Sequence, residues 1–371
     1  MNLLRPFQWL LWTLVWTPLW TVLCGLSATA QGATMTWPAV VPGVPLVFPR
    51  DHGAHPDFRN EWWYLTGWLK TADGRDLGFQ ITFFRNRPDS NPANPSRFAP
   101  RQLIFAHAAL ADAGRGRFQH DQRIARQGFG VANAATADTD VTVERWRLQR
   151  NASTGVYTTR VAAREFTLEL ELQPSLAPWA QGEGGISRKG PLATQASYYY
   201  SQPQLKVRGS VLQNGQNQTV SGSAWLDHEW SSTLLDARAA GWDWAGINLA
   251  DGGALMAFQI RQRDGSVLWA GGSHLGANGS VTRLAPDAVR FTAQRRWRSP
   301  LTGALYPVEQ QLTAGQHSCH LQPMLDNQEL DSRASSGVVY WEGAVRCLDP
   351  AGREKGRGYL ELTGYFRALK L

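Results

Sequence analysis

Apolar and polar positions alternate with a period of two along much of this chain. The runs Trp62–Lys70, Leu77–Arg85, Leu103–Leu110, Val141–Leu148, Val156–Val161 and Phe166–Leu172 each read as a strand. Asp73-Gly74, Asn214-Gly215, Asp251-Gly252 and Asp264-Gly265 mark tight turns, because glycine takes positive φ without steric cost. Helical periodicity is nearly absent, and Leu234–Ala240 is the best short helix candidate. Short strands joined by such turns predict an all-β fold, either barrel or sandwich.

A weak repeat divides the pattern. Trp63, Gly67 and Phe79-Gln80-Ile81 recur at the same spacing as Trp242, Gly246 and Phe258-Gln259-Ile260. Each copy reads as a strand, a turn and a second strand, which predicts two similar β-domains in tandem. Their expected spans are residues 44–234 and 235–371. Two long irregular segments interrupt the strands. Asn86–Pro100 carries four prolines, and Ser175–Ala196 is glycine-rich and leads into Tyr198-Tyr199-Tyr200. The second is expected to act as a lid.

Composition changes this picture mainly at the N-terminus. Arg5 precedes a nearly unbroken apolar run, Trp9 to Leu26, and Ala28-Thr29-Ala30 offers small residues for cleavage. This predicts a signal peptide over residues 1–30, cut after Ala30, and an exported, periplasmic protein. An uncleaved membrane anchor is the alternative. Cleavage removes Cys24 and leaves Cys319 and Cys347, an even pair that can form one disulfide in an oxidising compartment. Two reduced core cysteines are the other reading. The net charge of +7 is scattered, apart from Arg295-Arg296-Trp297-Arg298. No basic stripe is present, so a nucleic-acid partner is not expected.

The candidate chemistry centres on Trp225-Leu226-Asp227-His228-Glu229-Trp230. On a strand, Trp225, Asp227 and Glu229 share one face and Leu226, His228 and Trp230 the other. The two carboxylates are then roughly 7 Å apart. Burial beside Trp225 would raise the Asp227 pKa and keep a proton available. The same parity puts Tyr198 and Tyr200 on one face of the preceding strand, where their rings could face a cation. An acid among aromatic rings suits protonation of an apolar alkene, with water oriented by His228 or Glu229. The structural alternative is a buried corner in which Asp227 or Glu229 pairs with an arginine.

Asp51-His52-Gly53-Ala54-His55, followed by Glu61, is a second polar cluster. Its spacing fixes no tetrahedral set and there is no HExxH helix, so no metal is assigned. His107, alone in an apolar strand, reads as a core histidine. No G-x-S-x-G elbow, G-x-G-x-x-G turn or P-loop occurs. A glycosidase could use Glu61, Asp227, Glu229 or Asp243, but the sequence does not fix the carboxylate separation it needs.

Phe48-Pro49-Arg50-Asp51-His52-Gly53-Ala54-His55-Pro56 and Glu61-Trp62-Trp63-Tyr64 resemble the AttH family of lipocalin-like exported proteins. So do Trp225–Trp230, Gly241-Trp242-Asp243-Trp244, Tyr340-Trp341-Glu342-Gly343 and Gly358–Tyr365. The resemblance spans residues 46 to 366. It implies two tandem lipocalin-like, calycin-type β-barrel domains. It also implies a hydrophobic ligand, a lipid or isoprenoid, and an ABC transporter complex as partner. No cofactor is expected. Within these motifs His52, His55, Glu61, Trp63, Trp230, Trp242 and Trp244 are the expected ligand-binding residues.

More distantly the motifs resemble carotenoid 1,2-hydratases, which add water to a terminal isoprenoid double bond. That resemblance makes Asp227 the proton donor and Trp225 its aromatic neighbour. The hydratases' upstream His-x-Trp would fall at Tyr198-Tyr199-Tyr200, a departure that puts the activity in question. Related two-barrel proteins include fungal pericyclic cyclases, so the scaffold alone does not fix the reaction.

Overall fold

The computed structural model describes residues 37–89 and 94–369. The expected leader, residues 1–30, and part of the proline-rich segment lie outside them. Among the described residues no helix is long and apolar enough to cross a membrane.

The first sheet holds thirteen strands. They are β1 (Asn60–Thr71), β2 (Asp76–Asn86), β3 (Leu103–Asp112), β4 (Arg117–Arg126), β5 (Ala132–Ala134), β6 (Asp140–Val143) and β7 (Trp146–Arg150). Next come β8 (Tyr157–Ala162), β9 (Phe166–Gln173), β10 (Trp179–Ala180), β11 (Ile186–Arg188), β12 (Ala196–Gln213) and β13 (Gln216–Ser231). Their order is β4-β3-β2-β1-β13-β12-β9-β8-β7-β6-β5, with β10 and β11 added to β12. The sheet rolls up until its edges meet. There Arg123 of β4 ion-pairs with Glu144 at 3.1 Å and lies 4.9 Å over the Trp146 ring.

The second sheet holds ten strands. They are β14 (Ala239–Leu249), β15 (Ala254–Gln262), β16 (Val267–Leu275), β17 (Val281–Leu284) and β18 (Val289–Arg298). After them come β19 (Leu305–Ala314), β20 (His317–Pro323), β21 (Glu329–Ser332), β22 (Val338–Leu348) and β23 (Glu354–Leu362). Their order is β17-β16-β15-β14-β23-β22-β20-β19-β18, with β21 added to β22. Both sheets follow one plan: the first strand pairs with the second and with the last. This is the all-β architecture that the alternation and turns predict, in the tandem lipocalin-like form that the family resemblance implies.

The repeat marks the first hairpin of each sheet, but the registers differ. Gly67 faces Phe79 across β1 and β2, whereas Phe258 faces Trp244 and Gly246 faces Met256. Each glycine still makes room for a ring. A Cβ on Gly67 would meet Phe79 at 2.6 Å, and one on Gly246 would meet the Trp244 ring at 2.4 Å.

The expected helix at 234–240 is absent. The Asp236 carboxylate accepts the Arg238 amide at 2.9 Å, closing a turn that competes with helical bonding. The glycine-rich segment is also no loose flap: β10 and β11 pair along β12. In the second barrel Cys319 and Cys347 are joined by a disulfide, with their Cα atoms 5.1 Å apart.

Three apolar layers result. Trp63, Leu65, Phe79, Phe83 and Leu226 fill the first barrel, while Ile247, Tyr306, Leu312, Trp341 and Leu360 fill the second. Tyr64, Trp68, Tyr199, Trp225, Trp244 and Phe258 form a third layer between the sheets. The middle of β1 is therefore buried on both faces. Odd positions look into the barrel and even ones toward the second sheet, which explains its near-continuous apolar run. Trp68 ties the layers by donating to the Gly358 carbonyl at 3.0 Å.

Candidate functional site

Beside this third layer lies a partly open cavity of about 170 Å³. Trp62, Tyr64, Phe84, Phe105, Asp227 and Glu229 line it from the first sheet. Trp242, Trp244, Phe258, Ile260, Glu342 and Glu361 line it from the second. Lys189, just after β11, reaches in from the glycine-rich segment.

Asp227 reaches this wall because β13 alternates. It is buried and accepts three hydrogen bonds: Ser201 Oγ at 2.5 Å, Trp225 Nε1 at 2.7 Å and Tyr199 OH at 2.8 Å. Among the described residues no arginine pairs with it. Burial pushes its carboxyl up to about 7, outweighing those three donors, and the nearby Glu229 charge adds to the rise. Glu229 accepts from Ser197 and ion-pairs with Lys189 at 3.0 Å. The Lys189 ammonium also lies 4.7 Å over the Tyr199 ring and 4.4 Å over Phe258. A proton donor near neutrality, walled by aromatic rings, is what this arrangement offers chemically.

The tyrosine expectation is corrected by one residue. Ser201 stands opposite Asp227 and Tyr199 opposite Glu229, so odd positions of β12 face the acids. Tyr198 and Tyr200 pair with Trp230 and His228 and belong to the barrel side. Tyr200 contacts His52 Nδ1 at 2.8 Å, and Tyr198 accepts the Val41 amide at 3.1 Å.

Several expected ligand contacts sit behind the cavity wall. His52, His55, Trp63, His228 and Trp230 occupy the barrel end, with His55 stacked 3.7 Å from Trp230 and Trp63 4.6 Å from His228. Strand parity turns Trp63 of β1 and His228 and Trp230 of β13 inward, and the segment before β1 brings His52 and His55 against them. Glu61, bordering the cavity, is their hub. It pairs with Arg85 at 2.6 Å, His55 at 2.7 Å and His228 at 2.9 Å. Burial alone would raise the Glu61 carboxyl, but His228, His55 and Arg85 hold it well below its usual range. His55, Glu61 and His228 place ligand atoms within 4.8 Å of one another, so these three could hold a metal. Each is already hydrogen-bonded, and Arg85 neutralises the carboxylate. Trp242 and Trp244 do line the cavity, Trp242 donating to Glu361 at 2.7 Å. Asp243 is bound by Arg261 at 2.9 Å and Tyr365 at 2.9 Å, a structural setting. His107 bridges Tyr340 OH at 2.8 Å and Ser335 Oγ at 2.9 Å.

Tyr199, Ser201, Lys189, Glu342 and Glu361 were not singled out by sequence reasoning. A signal for the acids exists: Trp225-Leu226-Asp227, Tyr340-Trp341-Glu342 and Tyr359-Leu360-Glu361 are three aromatic-x-acid units on strands. Each turns its ring and its carboxyl to the same face.

A two-barrel protein with a buried acid in an aromatic-lined seam is the class these features define. The chain belongs to the AttH-like family, whose model matches residues 39–365. It is similar to the crystal structure of a candidate AttH from Nitrosomonas europaea, with 52% identity and a TM-score of 0.83 over 88% of this chain and 99% of that one. It is also similar to kievitone hydratase from Nectria haematococca, with 13% identity and a TM-score of 0.67 over 86% of this chain and 94% of that one. The second likeness shows the fold alone. No curated protein sequence matches the chain.

Proposed function

We propose that this protein takes an isoprenoid or related lipid into the seam cavity, where Asp227 protonates a carbon–carbon double bond. The reaction is a cofactor-independent hydration or isomerisation. The observation that carries this reading is the setting of Asp227: buried in the cavity wall, unpaired with any cation among the described residues and shifted to about 7. In hydration its proton forms the new C–H bond. The aromatic wall faces the cation, water supplies the C–O bond, and the proton released returns to the carboxylate. A hydratase among chains of the same fold is compatible with this chemistry. The cavity, about 170 Å³, is small beside the ~300–1,000 Å³ of ordinary ligand pockets. It therefore suits a small isoprenoid or one end of a longer chain.

Asp227→Asn tests this with turnover and binding measured on acyclic carotenoids and terpenoids. Lost turnover with binding retained is expected. No turnover by the parent on any of them refutes the enzyme. A second reading is ligand carriage, in which Asp227 is architectural. It is favoured by the three hydrogen bonds that already hold the carboxylate. Export belongs to either reading, and the disulfide is consistent with an oxidising compartment. Carriage with an ABC transporter complex predicts that the exported protein co-purifies with that complex and with bound lipid.

A further inference from the structure

The wall opposite Asp227 holds polar groups that the proposed proton transfer does not use. Glu342 of β22 and Glu361 of β23 face one another directly in the sheet register. Adjacent buried carboxyls cannot both ionise cheaply, so the pair retains a proton. Trp242 already bonds Glu361, which leaves Glu342 as the freer member. Glu342 Oε1 and the Tyr64 hydroxyl are buried beside one another, yet among the described residues neither makes a well-formed hydrogen bond, and both residues line the cavity. Buried polar atoms are rarely left so. Tyr64 is also the cross-strand neighbour of Asp227.

We propose that Tyr64 and Glu342 form an oxygen-binding pair, and that the cavity's ligand carries an uncharged carbonyl or hydroxyl oxygen close to the carbon that faces Asp227. The inference rests on the seam cavity being the ligand site. Burial, then the Glu361 charge, raises the Glu342 carboxyl well above its usual range. Burial, then Glu342 itself, does the same to the Tyr64 phenol. Both shifts favour the neutral, proton-bearing forms, and two neutral donors suit a single ligand oxygen. A carboxylate ligand would add negative charge to a space already crowded with the carboxyls of Asp227, Glu229, Glu342 and Glu361, with Lys189 as the cation beside them. An ammonium ligand would compete with Lys189, whose own ammonium already pairs with Glu229 at 3.0 Å and lies over the Tyr199 and Phe258 rings. An oxygenated, uncharged isoprenoid meets neither cost.

The test compares four probes by calorimetry on the full chain: geranylacetone, the hydrocarbon in which CH2 replaces its carbonyl, geranic acid and geranylamine. Geranylacetone should bind about tenfold more tightly than the hydrocarbon, the worth of one to two net hydrogen bonds. Tyr64→Phe and Glu342→Leu should each remove that preference and leave the hydrocarbon's affinity nearly unchanged. Tyr64→Phe keeps the ring and answers alone if Glu342→Leu does not fold. Equal binding of ketone and hydrocarbon, preference for the acid or the amine, a preference that survives both variants, or no saturable binding overturns the proposal. The readout is binding, so it fails separately from the Asp227 reading. Asp227→Asn should keep the ketone preference whether or not the parent turns over any substrate.

Discussion

Asp227→Asn should make the protein more stable in alkali relative to the parent, by an amount set by the buried proton. In the folded chain the carboxyl titrates near 7 against an ordinary 3.8. The folded state thus binds the proton more tightly than the unfolded one. Stability from this group is fully present below about pH 4 and is lost as pH rises through 7. Each pKa unit is about 1.4 kcal/mol, so the whole span is about 4 kcal/mol. Asparagine keeps an acceptor for Ser201 and Trp225 and never ionises. Between pH 5 and pH 8 the variant should gain roughly 2.5 kcal/mol on the parent. Urea unfolding of both proteins at pH 5, 6, 7 and 8 measures this directly. Parallel curves would show Asp227 ionised throughout, and the proton-donor argument would fail with them.

Two further perturbations probe the frame. Replacing Cys319 and Cys347 by serine opens a loop with a sequence separation of 28, which should cost about 3.5 kcal/mol in denaturant unfolding and make the protein insensitive to reductant. Arg85→Met leaves the fully buried Glu61 carboxylate short of its arginine partner and should cost about 3–5 kcal/mol. Adding Glu61→Gln should recover part of that loss, and an unchanged midpoint in the single variant would contradict the hub described here.

The fold was legible because strand alternation and D-G turns are local signals. β8 and β9 alternate strictly between buried positions and half-buried or exposed ones. What the sequence did not carry was which side each strand shows to which partner. The acid's side of β13 followed from parity alone, but its neighbours on β12 depend on a register set by residues far along the chain. Tyr199 rather than Tyr198 or Tyr200 meets Asp227 for that reason. His55, Trp63 and Trp230 lie within motifs of mixed role, in which inward residues hold the barrel end and outward ones line the cavity. Glu342 and Glu361 were invisible as a pair because two hairpin arms must align before they become neighbours.

The joining of each sheet's first strand to its last has a consequence for biosynthesis. β1 is made early, yet its partner β13 follows long after, and β14 waits likewise for β23. Until then each opening strand presents a bare edge, the kind of surface that recruits stray chains. The acid face is translated well before Glu361, so no pocket exists while most of the polypeptide is already made. On the proposed function, a ligand can be captured only once both sheets have closed, whatever compartment that happens in.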